Sequence, residues 1–399
     1  MPVAFRGPLS GLRVLEFGQI AAGPFTGSLL ADLGADVVKV ERPEGGDDLR
    51  RWPPIVAGES GDGYSENFAS LNRNKRSIAL DLKDPAQVAR LKRLCDRADV
   101  ILENFRAGVL DRLGLGYRAL ARSNPRLVYC SVNGYGHDGP YAAKGAFDLT
   151  VQAISGVMSV TGDSDGPAAK CGVPLGDFGA GLYAGFCILA AVMRARETGQ
   201  GAFIDCSMMA ALLGMAALQT SEYFGTGNAP QRLGSAHPRA APYQGFDAKD
   251  APFVIAAGNE KLWHSVCDAV GMPELKSDRR FDSQSERAKH QKALAAILQP
   301  VFRTRTKGEW LVEFDRRGVP CAPINTYPET LADPQVKHMN LVRDMTLPNG
   351  KRTQTVAFPA RISGYEFDVY RRPPLLGEHT EEVVAEWLET AAVGGARSA

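Results

Sequence analysis

Leu12-Arg-Val-Leu-Glu-Phe17, Gly18-Gln-Ile-Ala-Ala-Gly-Pro24, Phe25 to Leu33 and Ala35-Asp-Val-Val-Lys-Val40 follow one another without interruption. They read as a strand, a small-residue turn, an amphipathic helix closed by Gly34, and a second strand. Glu41-Arg42-Pro43 ends the second strand. A strand–helix–strand unit with a glycine-bearing first turn and an acid after the second strand belongs to a parallel sheet. Its turn lacks G-x-G-x-x-G, and Arg42 follows the acid at once, which argues against a nicotinamide dinucleotide. A backbone-lined turn with an arginine suits an adenine nucleotide carrying a ribose phosphate, because guanidinium pairs bidentately with phosphate.

The pattern continues outward. Ser77 to Leu82, Val100 to Glu103 and Leu127 to Val132 read as strands, with a helix over Pro85 to Ala98. Further on, Ala146 to Gly156 reads as helix, Ala202 to Ser207 as strand and Met208 to Phe224 as one long apolar helix. The expected fold class is α/β, an open, mostly parallel sheet with helices on both faces. Arg42, Lys83, Asn104, Arg106 and Asn133 fall just after strands, where such sheets bind ligands, and form a candidate anion rim. A glycine- and proline-rich connector, Gly225 to Pro238, marks a change of unit. Residues 225–330 are expected to form a smaller α+β domain, and 1–224 with 331–399 the large one. Residues 334–365 read as extended chain returning to the large domain, and 391–399 as a fraying end.

With 399 residues, 44% hydrophobic and 23% charged, the chain is long enough for two soluble cores. Lys plus Arg (46) nearly cancels Asp plus Glu (45), which argues against nucleic acid or an anionic membrane as partner. The seven cysteines are odd in number and scattered without C-x-x-C, as reduced thiols are. The first eight residues lack an apolar signal core, and the longest uncharged runs are short for a bilayer span. A cytoplasmic protein is expected.

One carboxylate stands apart. In Gly176-Asp177-Phe178-Gly179, Asp177 sits between glycines directly ahead of an uncharged helical run from Leu182 to Met193. The plain reading makes Asp177 a helix cap, accepting orphan backbone N–H groups. The functional reading makes it a nucleophile whose flanking glycines leave room for a substrate carbonyl. The remaining motif search is negative: no phosphate-binding G-x-x-x-x-G-K-[ST], no H-E-x-x-H, no G-x-S-x-G, no metal-ligand spacing. None of the six histidines has a neighbour that marks it as a catalytic base.

Several stretches together resemble the class III CoA-transferases: Pro8-Leu-x-Gly-Leu-x-Val-Leu-Glu-Phe17, Ala22-Gly-Pro24, Leu33 to Pro43, Asn74-Lys-Arg-Ser-Ile78, Glu103-Asn-Phe105, Leu175-Gly-Asp177 and Pro373 to Thr380. The resemblance runs from about residue 8 to about residue 388 and is similar in pattern to the succinyl-CoA:glutarate branch. It implies a Rossmann-like large domain and an interlocked-ring homodimer. It implies a transferase that moves CoA from an acyl-CoA, succinyl-CoA above all, to a small dicarboxylic acid, with CoA as substrate, no tightly bound cofactor and no metal. Asp177 falls on the family's nucleophile, Ala21 and Ala22 on the turn that approaches CoA, and Arg42 beside the adenine. Leu80, Asp81, Leu82 and Lys83 fall along the nucleotide, and Asn104, Phe105, Arg106 and Arg112 at the nucleotide and its phosphates. Gly145, Phe147 and Asp148 fall at the thioester end.

Arg50, His237 and Arg239 are the cations considered for a distal carboxylate. The mobile glycine-rich loop of formyl-CoA transferase has no counterpart here, which puts formate and oxalate in doubt. The alternatives are an α-methylacyl-CoA racemase of the same family and a CoA-binding protein without turnover. Racemase relatives carry a histidine where Phe147 stands, which argues against the first.

Overall fold

The computed structural model describes residues 7–59 and 61–389. Six strands form one parallel sheet: β1 (Arg13–Phe17), β2 (Asp36–Glu41), β3 (Arg76–Ala79), β4 (Val100–Glu103), β5 (Val128–Asn133) and β6 (Ala202–Ser207). Their spatial order is β3-β2-β1-β4-β5-β6. Alternate residues enter opposite layers, as a pleated strand buried on both faces requires. Val14, Val37 and Val100 join one core with helices α1 (Ala22–Asp32), α2 (Leu175–Thr198) and α3 (Met208–Met215). Leu15, Val38 and Ile101 join the other, with Leu91, Leu94 and Trp387.

The free edge at β3 is covered, which removes an unpaired ladder. Residues 377–380 do this: Thr380 Oγ1 accepts the Ala79 N–H at 3.0 Å, and His379 Nδ1 accepts the Ser77 N–H at 3.2 Å. The Gly377 N–H donates to Ser77 Oγ at 2.9 Å.

The chain divides into two compact units, 1–157 with 171–224 and 334–399, and 158–170 with 225–333. The boundaries expected from sequence leave out the short 158–170 excursion into the second unit. That unit has its own core around Phe253, Trp263, Phe302 and Trp310, and a three-stranded antiparallel sheet of Tyr243–Asp247, Pro252–Ala256 and Cys321–Pro323. The helix read as one from Met208 to Phe224 is broken into Met208–Met215 and Ala217–Thr226. The stretch read as extended from 334 contains a short helix, Pro334–His338, and a hairpin, Val342–Thr346 with Arg352–Val356. The expected fraying of 391–399 lies outside the described residues. By length and composition α2 could cross a membrane. One side of it, however, is packed into the core through Ala180, Ala184 and Ile188.

Candidate active site

In a sheet of this strand order the succession reverses between β1 and β4, so the loops after those two strands part and leave a crevice. Residues 18–21 form the loop after β1. Asn104, just past β4, grips it from one side: Asn104 Oδ1 accepts the Gln19 N–H at 2.8 Å, and Nδ2 donates to the Gln19 carbonyl at 2.9 Å. Asp47 grips it from the other side, accepting the Ile20 N–H at 3.1 and 3.2 Å. Ile20 has φ +64°, a conformation a β-branched residue adopts only when its surroundings impose it.

Beneath the loop lies a buried quartet of charges. Lys39 Nζ lies 3.0 Å from Glu16 Oε1, 2.9 Å from Asp47 Oδ2 and 2.6 Å from the Gly18 carbonyl oxygen. Lys75 Nζ lies 2.7 Å from Glu16 Oε2 and donates to the Pro24 carbonyl at 2.8 Å. Burial alone would raise the Asp47 carboxyl, yet Lys39 and the N–H donors of Leu49 and Ile20 hold it below its ordinary value. Burial depresses Lys75 to about 8 against the pull of Glu16. Two cations and two carboxylates cancel, the condition under which buried charge is tolerable.

Asp177 lies in the first turn of α2. Helices α1 and α2 meet at Gly181, where an added Cβ would lie 2.7 Å from Phe25 Cδ1 and 3.3 Å from the Ala22 carbonyl oxygen. Thr26 Oγ1 donates across the contact to the Gly181 carbonyl at 3.2 Å, and Phe25 stacks on Phe178 at 4.3 Å. This crossing sets Asp177 beside the start of α1.

The cap reading fails. The N-cap position is Pro174, and Asp148 supplies the capping carboxylate, its Oδ1 accepting the Gly176 N–H at 2.8 Å. Asp148 Oδ2 is itself held by Gln152 at 2.8 Å. The flanking glycines serve packing more than access. A Cβ at Gly176 would meet Asp148 Oδ1 at 3.2 Å, and one at Gly179 would meet Met215 Sδ at 2.8 Å. Among the described residues nothing donates a hydrogen bond to the half-buried Asp177 side chain. Burial first, and the Asp148 charge second, push its pKa up from 3.8 to about 7. An unpaired carboxylate of this kind has the basicity a carboxylate nucleophile needs.

A cavity of about 350 Å³ opens in front of it. Of the residues singled out from sequence, Ala21, Ala22, Asn104, Phe105, Arg106, Asn133, Gly145, Phe147 and Asp177 line it. The others do not. Leu80 is buried in the core and Leu82 packs against it. Asp81 Oδ1 accepts the Lys83 N–H at 2.9 Å in a turn. Arg42 is paired with Asp48, and Arg112 ends the short helix Val109–Arg112. Asp148 caps α2.

Arg50 is spent. Its Nε and Nη2 bind Glu41 at 2.7 Å each, Nη1 donates to the Pro374 carbonyl at 3.0 Å, and the guanidinium lies 3.8 Å over Phe68. His237 and Arg239 belong to the second unit, where His237 stacks on Tyr243 at 4.9 Å and its Nδ1 accepts the Arg239 N–H at 3.1 Å. Sequence reading missed Lys144, Tyr135 and Met208 in the cavity wall, and the charged quartet. The signal for the quartet was present: Glu16 and Lys39 each interrupt an apolar run, Val14 to Phe17 and Val37 to Val40.

A model of CoA-transferase family III matches residues 9–380. The chain is 39% identical over 385 residues to the succinate–glutarate CoA-transferase of Agrobacterium fabrum, covering 96% of each. It is 40% identical over 374 residues to the acetyl-CoA:oxalate CoA-transferase of Acetobacter aceti, covering 93% of each. Among solved structures, a CAIB/BAIF family protein from Brucella suis is 38% identical with a TM-score of 0.86, over 96% of this chain and 100% of that one.

Proposed function

Since the chain belongs to CoA-transferase family III, we propose that it transfers CoA from an acyl-CoA to a small dicarboxylic acid, with Asp177 as the covalent nucleophile. The observation that carries this reading is the unpaired Asp177 carboxylate at the cavity, raised to about 7. Asp177 attacks the thioester carbonyl, the C–S bond breaks, and CoA thiolate leaves an aspartyl–acyl anhydride. The thiolate attacks the aspartyl carbonyl and expels the donor acid as a carboxylate, leaving an aspartyl–CoA thioester. The acceptor carboxylate displaces the thiolate from that thioester to form a second anhydride. Thiolate attack on the acceptor's acyl carbon then yields the new acyl-CoA and regenerates the Asp177 carboxylate. The remaining backbone N–H groups at the start of α2 are the proposed oxyanion donors, since those of Gly176 and Phe178 are taken by Asp148 and the Pro174 carbonyl.

The relatives named for glutarate and oxalate differ in donor, succinate against acetyl-CoA, but share a dicarboxylic acid. The acceptor class rests on that agreement. It also returns oxalate to the candidate acids, since the oxalate-named relative is as similar as the glutarate-named one. Succinyl-CoA is the proposed donor. Phe147 in the cavity wall, with no histidine among the lining residues, favours transfer over racemisation.

The assembly proposed is a homodimer. One face of α2 and the helix Ala217–Thr226 leave Phe186 73% and Phe224 80% exposed, alongside Leu182, Met193 and Leu218. That much apolar surface is what a second copy would cover. The test of the mechanism is Asp177→Ala. It should abolish transfer between succinyl-CoA and glutarate while leaving CoA binding intact, and mass spectrometry after borohydride trapping should mark Asp177 in the natural protein. Full activity of the alanine variant would end the proposal.

A further inference from the structure

Strands β4, β5 and β6 lie side by side, with Ile101, Tyr129 and Phe203 in one row and Glu103, Ser131 and Asp205 in the next. The pleat turns both rows to the same face. It is the face of the Leu15 and Ile101 core, opposite the one that α2 covers. A second cavity, of about 610 Å³, opens there at the carboxyl ends of the three strands. Tyr117, Tyr129 and Phe203 wall it, with ring centroids 5.7 to 6.2 Å apart. His137 stands edge-on to Phe203 at 5.0 Å.

Two polar atoms of this cavity are buried and unanswered. Tyr129 is 2% exposed, yet its hydroxyl makes no hydrogen bond among the described residues. Burial first, and the charges of Glu103 and Asp111 next, hold that phenol well above its ordinary value. Both acids line the cavity, so the hydroxyl faces into it. Glu103 is 4% exposed. Its Oε2 accepts the Phe105 N–H at 2.7 Å, but among the described residues Oε1 accepts nothing. His137 Nε2 lies 3.9 Å from Oε1, beyond hydrogen-bond reach, and 2.8 Å from Ser131 Oγ. At the exposed mouth Asp111 and Asp138 offset Arg106 and Arg118, two charges against two, so Glu103 is the charge left over. Buried hydroxyls and carboxylates ordinarily find partners, and these two have none.

We propose that this cavity is a second ligand site, which takes a small organic cation: an ammonium group on Glu103 and Tyr129, with an apolar or aromatic body between Tyr117 and Phe203. An ammonium supplies the donors that both atoms lack and the charge that Glu103 lacks, and it gains from the ring faces. An anion would meet an uncompensated carboxylate, and a neutral body would leave that carboxylate unpaired. The loop after β5 is the partition from the Asp177 cavity: Asn133 to Gly136 line the first cavity, His137 and Asp138 the second. Asp205 fixes this partition, accepting from Asn133 Nδ2 at 2.6 Å and from the His137 N–H at 2.8 Å. The proposal is independent of the transfer reading.

The test is calorimetric titration of the full chain, with and without saturating CoA, using phenethylammonium and its neutral counterpart 2-phenylethanol. The ammonium should bind saturably in both conditions, roughly 10- to 100-fold more tightly than the alcohol, the scale of one charge-assisted contact. Glu103→Gln keeps an oxygen for the Phe105 N–H and should bring the two probes to near equality. Tyr129→Phe keeps the ring and should weaken the ammonium severalfold, whereas Asp177→Ala should change neither probe. Absence of saturable binding, equal affinities in the natural protein, or a preference that survives Glu103→Gln would leave the cavity to water and overturn the proposal. Binding seen only without CoA would place the probe in the Asp177 cavity and overturn it equally.

Discussion

Replacing Asp177 by asparagine should stabilise the fold, and only above mildly acidic pH. The unfolded chain releases the Asp177 proton near 3.8, whereas the folded chain holds it to about 7. Between those values the folded state binds more protons, so unfolding free energy falls as pH rises, and the cost is complete above 7. Three units at about 1.4 kcal/mol each set a ceiling of about 4 kcal/mol. Asp177 is only half buried, and solvent screening brings the expectation to about 1–2 kcal/mol. Asparagine keeps the shape and removes the charge. Urea unfolding at pH 4.5 and pH 8 should therefore show near-equal stabilities at the lower pH and a variant more stable by about 1–2 kcal/mol at the higher. With the Asp177 carboxylate as the proposed nucleophile, the natural enzyme's kcat/KM should rise with pH through an acid limb near 7. A stability difference independent of pH, or an asparagine variant less stable at pH 8, would refute the account of Asp177 as an uncompensated charge.

Three further outcomes follow from the same geometry. Asp148→Asn keeps an oxygen for the Gly176 N–H but removes the second cause of the Asp177 shift. The acid limb should move down by less than about one pH unit, burial being the larger cause. Asp47→Asn leaves Lys39 short of a counter-charge and the Ile20 N–H with a weaker acceptor. A loss of about 3–5 kcal/mol in urea unfolding should come with a raised KM for acyl-CoA, because Ala21 and Ala22 follow directly. Gly181→Ala forces α1 from α2 against Phe25 and the Ala22 carbonyl; about 1–3 kcal/mol of stability should be lost, and kcat should fall because Asp177 shifts relative to the loop.

The parallel sheet was legible because its strands announce themselves as apolar runs between helices, and the strand bounds agree with the structure to within a few residues. What sequence could not separate was scaffold from site. Asn74 to Ser77 and Pro373 to Thr380 belong to the family pattern as firmly as Asp177 does. Yet Arg76 pairs with Asp36, Ser77 Oγ donates to Glu41, and residues 377–380 close the edge of the sheet. Arg50 looked available as a bare cation in a loop, but the loop folds it onto Glu41 nine residues earlier. A motif demands particular residues for either reason, and the spacing of letters is the same in both.

The difference lies in where each polar group finds its partner. Asn104 lines the cavity, but both ends of its amide are satisfied by the Gln19 backbone, so it builds the loop and has little left for a ligand. The charged quartet is likewise closed on itself, every charge facing its opposite. Asp177, Arg106 and Lys144 share the same cavity and are bound to no protein acid or donor. Folding leaves polar groups unpartnered at a cost, and the cost is recovered only when something else supplies the partner. Here the unpartnered set is one carboxylate and two cations. The carboxylate is the group this cavity holds ready for a ligand carbonyl, and that is the physical basis for proposing Asp177 as the nucleophile of CoA transfer.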